Sequence, residues 1–252
     1  MKHLRLVLAY CRHNLMSAMA YRSAFLIQVL GMMLNNVMLL FFWAILFNRF
    51  PNLQGWTMRD IVLLYAIVAV GFGIGNALCG NSGRVAQIIA NGDLDYYLAL
   101  PADPLLHLLV SRTSVPSWGD VVFGLIMFLI ALPDRLAKAP LFLLLCLLSG
   151  IIFVAFSVIV GSLAFWLGQS HNLAMQFRNM LLTFGLYPVD IFPSLIRLLL
   201  YTLIPAAFVG SMPAKLLTEF RLRDLLAMGA MTVAIAMIAW LVFRRGLRRY
   251  ES

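Results

Sequence analysis

Three carboxylates, Asp93, Asp95 and Asp103, fall within eleven residues of one another. Hard divalent cations take several carboxylate oxygens, so a backbone that turned these onto one point would make a metal site. At a bilayer surface the corresponding protein would be a membrane-embedded, lipid-modifying enzyme. Two features weigh against it: Gly92-Asp93 reads as a turn, and no basic phosphate clamp accompanies the aspartates. Other catalytic patterns do not occur, neither G-x-x-x-x-G-K-[ST] nor H-E-x-x-H, C-x-x-C or G-x-S-x-G. The four histidines, His3, His13, His107 and His171, are scattered and expected to be solvated near interfaces. Cys11, Cys79 and Cys146 are odd in number, lack metal-ligand spacing and read as small core hydrophobes. The sequence therefore predicts no metal, no cofactor and no hydrolytic chemistry on this chain.

The elements carrying these residues are dominated by apolar length. Of 252 residues, 63% are hydrophobic and only 12% charged, half the charge of an ordinary soluble domain. Six apolar stretches fill the chain, about Phe25–Phe47, Ile61–Leu78, Val115–Leu132, Leu141–Leu167, Leu173–Val209 (interrupted) and Leu225–Phe243. Roughly 20 apolar residues cross a hydrocarbon core about 30 Å thick, and the first and fourth stretches have 23 and 27. The expectation is one all-α membrane domain over residues 1–252 with six transmembrane helices. The net charge of +9 gathers at the ends: Lys2, Arg5, Arg12 and Arg22 before the first stretch, Arg244, Arg245, Arg248 and Arg249 after the last. By the positive-inside rule both termini belong in the cytoplasm, with membrane lipid rather than nucleic acid as the partner of that charge.

Residues 1–22 read as an interfacial amphipathic helix, with Leu4, Val7 and Leu8 on its apolar face and Arg5 and Arg12 on its basic one. Gly71 and Gly75, four apart, predict close helix packing in the second stretch. The third must include Pro116, Trp118 and Asp120 in its first turns, which places Asp120 at the interface or in a polar cleft. A turn is expected over Pro133–Pro140. The fifth stretch breaks at Tyr187, Pro188, Asp190 and Pro193, with Arg197 and Pro205 beyond. Two prolines five apart around an aspartate do not form a helix interior, and irregular backbone at membrane depth needs protein or water around it. Residues 187–213 therefore read as an external re-entrant segment between spans five and six. A second parse takes residues 194–210 as the fifth span and leaves 169–193 in the cytoplasm; charge counting does not separate the two.

The longest polar connection, residues 80–114, holds two short amphipathic helices with a corner between them. Val85, Ile88 and Ile89 form an apolar face, Asn91-Gly92 ends the first helix, Asp93 caps the second and Pro101 stops it. Such a hairpin either lies on lipid or docks its apolar face into a partner's groove.

The run Ile89-Ala90-Asn91-Gly92-Asp93-Leu94-Asp95-Tyr96-Tyr97-Leu98-Ala99-Leu100-Pro101 resembles the G-x-[LI]-D-x-x-L-x-x-P segment after the second span of ABC-2-type transporter permeases. Tyr187–Pro193, Leu203–Phe208 and Met212-Pro213-Ala214 are similar to the proline-rich external end in that family, and the basic tail from Phe243 resembles its viologen-type exporter subgroup. The resemblance implies a type V exporter-like permease of the inner membrane that dimerises with an identical or different permease. It also implies two separate ATPase subunits, which bind ATP and Mg. The coupling residues it implies are Arg84, Val85, Ile88, Ile89, Gly92, Asp93, Leu94, Asp95, Leu98 and Pro101.

Overall fold

The computed structural model describes residues 9–10, 12–14, 16–17, 19–99, 103–131 and 135–250. Among them the regular structure is helical, and the described residues of 9–19 are helical as well. Two long helices come first, α1 (Arg22–Arg49) and α2 (Met58–Leu78). A hairpin follows, built from the 3-10 turn Ser82–Arg84, α3 (Val85–Ala90), α4 (Leu94–Leu98) and α5 (Pro104–Val110). Then come α6 (Ser117–Ala131), α7 (Arg135–Ser162), α8 (Ala164–Leu167) and α9 (His171–Gly185). The 3-10 turn Val189–Ile191 leads to α10 (Ser194–Thr202), α11 (Ala206–Val209), α12 (Ser211–Thr218) and α13 (Leu222–Leu247).

Among the described residues four helices are long and apolar enough to cross a bilayer: α1, α2, α7 extended by α8, and α13. Ser194–Thr202 with Ala206–Thr218 makes a fifth if the pair, bent by 69°, counts as one. The expected third and fifth spans are shorter than the sequence suggests. α6 and α9 have 15 residues each, about 22 Å of helix against a core of about 30 Å. Pro116 falls before α6 rather than inside it, and the break at Pro188 stops α9. Of the turn expected over Pro133–Pro140, Pro133 and Asp134 lie outside the described residues, and 135–140 is corrected to the first turns of α7, with Pro140 inside the helix.

α2 is the centre. Its start is fixed by a capping box in which Asp60 accepts from the Thr57 backbone at 2.9 Å and Thr57 accepts from the Asp60 backbone at 3.4 Å. Ile61, Leu63, Leu64, Ala66 and Ile67 are fully buried. α6 lies on one side and α7 on the other, with glycines at both contacts. A Cβ on Gly73 would sit 2.8 Å from the Ser117 carbonyl of α6, and one on Gly71 2.9 Å from the Cys146 carbonyl of α7. Gly75 meets α7 as well, through Val154. α1 and α13 are peripheral and turn residues such as Ile27, Phe41, Leu226 and Met237 outward.

Polar contacts sort the connections to two ends of this bundle. Trp56, between α1 and α2, donates to Asp190 at 2.9 Å, and Arg59 reaches the Ala131 carbonyl at 2.8 Å. Lys138 reaches the Leu217 carbonyl at 2.7 Å. These contacts place residues 187–193 at the α1–α2 end of the bundle. At the opposite end Tyr250 donates to the Gly92 carbonyl at 3.1 Å, which joins the tail to the hairpin.

Glycine packing of this kind is directly testable. A Cβ on Gly124 of α6 would lie 2.6 Å from the Ala66 carbonyl, whereas one on Gly31 of α1 meets nothing within 4 Å. Gly124→Ala should overpack the α2–α6 contact by about 1–3 kcal/mol. That lowers the thermal midpoint of the solubilised protein by about 2–4 °C per kcal/mol. Gly31→Ala should leave the midpoint unchanged or raise it, because Gly is the poorer residue in a helix interior.

Candidate functional site

Two clusters, one at each end, carry the residues that sequence pattern singles out. In the hairpin, Gly92 has φ of +80°, the left-handed turn that ends α3 and sends the chain into α4. Asp93 stands at the N-cap of α4, but its side chain makes no cap hydrogen bond, which corrects that expectation. Asp103 instead caps α5 by accepting from the Leu106 backbone at 3.0 Å. The aspartates are not brought together, and among the described residues no group of three His, Cys, Asp or Glu side chains could hold a metal ion.

The apolar face of α3 points inward. Val85 and Leu94 are fully buried, and Ile88 and Ile89 are 5% and 6% exposed, packed in the core cluster with α7 and α8. A Cβ on Gly161 of α7 would be 2.7 Å from Val85. That face is therefore not available to a partner's groove. Amphipathic spacing shows that a face is buried but not against what, and here the chain's own helices supply the cover. What the hairpin presents outward is its crest, with Asn91, Asp93, Asp95, Tyr96 and Leu98 exposed. Arg84 is half-buried beside a cleft of about 680 Å³ that Tyr10, Asp93, Tyr97 and Arg112 also line. Pro101, Leu4, Arg5, Val7 and Leu8 lie outside the described residues, and Arg12 is exposed.

The same cleft joins the N-terminal helical stretch to the hairpin. A hydrogen bond links the Tyr10 hydroxyl to His107 Nε2, and Asn14 donates to the Val110 carbonyl at 3.3 Å. His107 is 3% exposed, among the rings of Tyr10, Tyr96 and Tyr97. This corrects the expectation of a solvated histidine. Leu105, Leu106, Leu108 and Leu109 around it are the sequence signal, since a histidine inside an apolar run of a short helix is carried into the core with it.

At the other end Asp190 is a hub. Its carboxylate accepts from Trp56 at 2.9 Å and Lys215 at 2.6 Å, with Arg197 at 3.8 Å. Arg197 also holds the Asp190 carbonyl at 2.8 Å. Burial alone would push the Asp190 carboxyl up; the hydrogen bonds from Lys215 and Trp56 and the charges of Lys215 and Arg197 outweigh it and hold it below the usual carboxylate value. The Tyr187 ring lies tilted against Trp43 and its backbone carbonyl accepts from Ser211, Pro188 is buried, Pro193 precedes α10, and Pro205 is buried at the corner before α11. Trp56 and Lys215 were not legible as members, because they are 134 and 25 residues from Asp190 in sequence.

Two polar pairs inside the bundle complete the picture. Asp120, expected at an interface or cleft, is 3% exposed and accepts from Asn36 of α1 at 2.7 Å. Arg178 of α9 donates to Asn76 of α2 at 2.6 Å and lies 4.9 and 5.5 Å from the ring centroids of Phe153 and Phe72. The sequence signal for both pairs is a polar residue interrupting an apolar stretch.

A family model described as "ABC-2 family transporter protein" matches residues 33–252, most of the chain. No curated protein matches it.

Both clusters carry a pH dependence with a defined sign. Asp190 has its pKa depressed, so its contribution is present above the ordinary carboxylate value of 3.8 and is lost as pH falls through the lower folded value. Asp190→Asn should lower the thermal midpoint at pH 7, and the gap to the parent protein should narrow as pH is taken towards 3. Burial holds the His107 imidazole below its ordinary value of 6.5. Its neutral form contributes fully above 6.5, and that contribution is lost as pH falls from there through the depressed value. The protection of amides in residues 103–110, taken relative to their intrinsic exchange rate at each pH, should fall between pH 7.5 and 5, and His107→Phe should remove that dependence.

Proposed function

The chain belongs to the ABC-2 family of transporter proteins, and from that premise we propose that it is the permease subunit of an exporter driven by ATPase subunits on separate chains. The family makes it a multi-pass transport permease and implies an ABC ATPase partner. The finer reading is an inner-membrane exporter, of the viologen-type subgroup, with both termini cytoplasmic. Two ATPase copies would bind ATP and Mg, and a second permease, identical or different, would complete the assembly. The cargo would be amphipathic, drug-like or lipid-like, leaving from the cytoplasm or inner leaflet.

The observation that carries this reading is the two-sided hairpin of residues 80–114. Its underside, Val85, Ile88, Ile89 and Leu94, is set in the core, while its crest, Asp93, Asp95, Tyr96 and Leu98, projects at one end of the bundle. A contact made by the crest is thereby mechanically continuous with α7 and α8. The crest is acidic and aromatic, a combination suited to a basic, cleft-bearing partner surface.

The test separates crest from underside. Asp95→Lys with Tyr96→Ala changes two exposed side chains, leaves Val85, Ile88, Ile89 and Leu94 in place and should keep membrane abundance near the parent level. Co-purified ATPase should fall by about thirtyfold, the effect of losing about 2 kcal/mol at an interface hot spot. Ile88→Asp should instead deplete the permease itself, because it places an unpaired charge in the core. Full ATPase retention and full transport in the crest variant would overturn the coupling role.

A further inference from the structure

A cavity of about 250 Å³ lies between α2, α5, α7 and α13. It exists because facing positions are small: Gly75, Gly150, Ala155, Ala236 and Ala239 line it. Its lip is formed by Leu147, Ile151 and Trp240, all exposed, so it opens outward between α7 and α13 and not into the bundle. The lining is apolar throughout and offers no polar group to orient a drug-like molecule.

One turn beyond Trp240, the Arg244 guanidinium lies 4.2 Å from the indole ring centroid. Arg245 and Arg248 follow and are exposed, and among the described residues no carboxylate pairs with any of the three. A tryptophan at the mouth of an apolar cavity, with unpaired arginines just outside, matches the depth profile of a phospholipid. The chain lies within, the indole sits at the headgroup boundary and the cations meet the phosphate.

We propose that this cavity binds one acyl chain of an anionic phospholipid, with the headgroup phosphate at Arg244. The site needs only that α2, α7 and α13 span a bilayer, and it stands whether or not the ATPase reading does. Charge complementarity selects the occupant. Three arginines with no carboxylate partner among the described residues favour an anionic over a zwitterionic headgroup, and a second copy of this equally basic chain would bring further positive charge to the same place.

The test uses the full-length protein in phosphatidylcholine vesicles and reads Trp240 as the difference in fluorescence between the parent and Trp240→Phe. Phosphatidylglycerol with brominated chains is added in steps, with brominated phosphatidylcholine as the comparison. Quenching of Trp240 should saturate, and do so at a mole fraction about fivefold lower for the anionic lipid, the preference that one arginine at such a surface gives. Arg244→Gln should weaken that preference while leaving the chain able to enter, and an unchanged preference would overturn the placement of the phosphate at Arg244. Ala236→Leu should fill the cavity and abolish saturation for both lipids, and Arg244→Gln keeps the test decisive if that variant does not fold. Quenching that rises in simple proportion to mole fraction, equally for both lipids, overturns the proposal. So does a Trp240 that no brominated lipid reaches until the protein is diluted in lipid, the result expected if a second copy covers the lip.

Discussion

Backbone-to-backbone contact along α2 is the constraint on which the rest of the structure depends. Lipid tails are as apolar as leucine, so helices in a bilayer gain little by hiding leucines from lipid and gain mainly by close approach. Gly71 and Gly75 let α7 come down onto α2, and Gly73 lets α6 do so from the other side. With α2 clamped, both of its ends become fixed points. One begins at the Thr57 capping box beside Trp56, and the other releases the chain at Cys79 into the hairpin.

Polar groups inside the bundle add a second kind of tie between the helices. Asn36–Asp120 ties α1 to α6, Trp43–Tyr65 ties α1 to α2 at 3.0 Å, and Arg178–Asn76 ties α9 to α2. Ser149 donates to the Val209 carbonyl at 2.8 Å, meeting the broken backbone between α10 and α12. That last contact is how irregular structure survives at this depth. A carbonyl left over by a chain break finds a hydroxyl from a continuous helix.

Apolar length revealed α1, α2, α7 and α13, because twenty residues without charge leave little choice of environment. Gly92 and the Pro188–Pro193 pair were equally readable, since each dictates local backbone. Long-range partners were hidden. Asp190 announced itself, but Trp56 and Lys215 are ordinary residues until the fold brings them over. The direction of the α3 face was hidden for a related reason: periodicity reports that Ile88 and Ile89 need cover, and lipid, partner and self all satisfy it alike. His107 was misread because interfacial position was taken from sequence neighbourhood rather than from the face of α5 it occupies.

α7 deserves a mechanical description. Its 28 residues make a rod about 42 Å long. Near one tip Gly161 bears on Val85 of the hairpin; near the other, Lys138 grips the Leu217 carbonyl of α12. A rod loaded at both tips and clamped at mid-length by α2 behaves as a seesaw, with Gly71 against Gly150 as its fulcrum. A rocking of about 5° about that point shifts each tip by about 2 Å in opposite senses, given the rise of the helix. A shift at the hairpin and a shift at α12 would on that geometry be opposite ends of one rigid element.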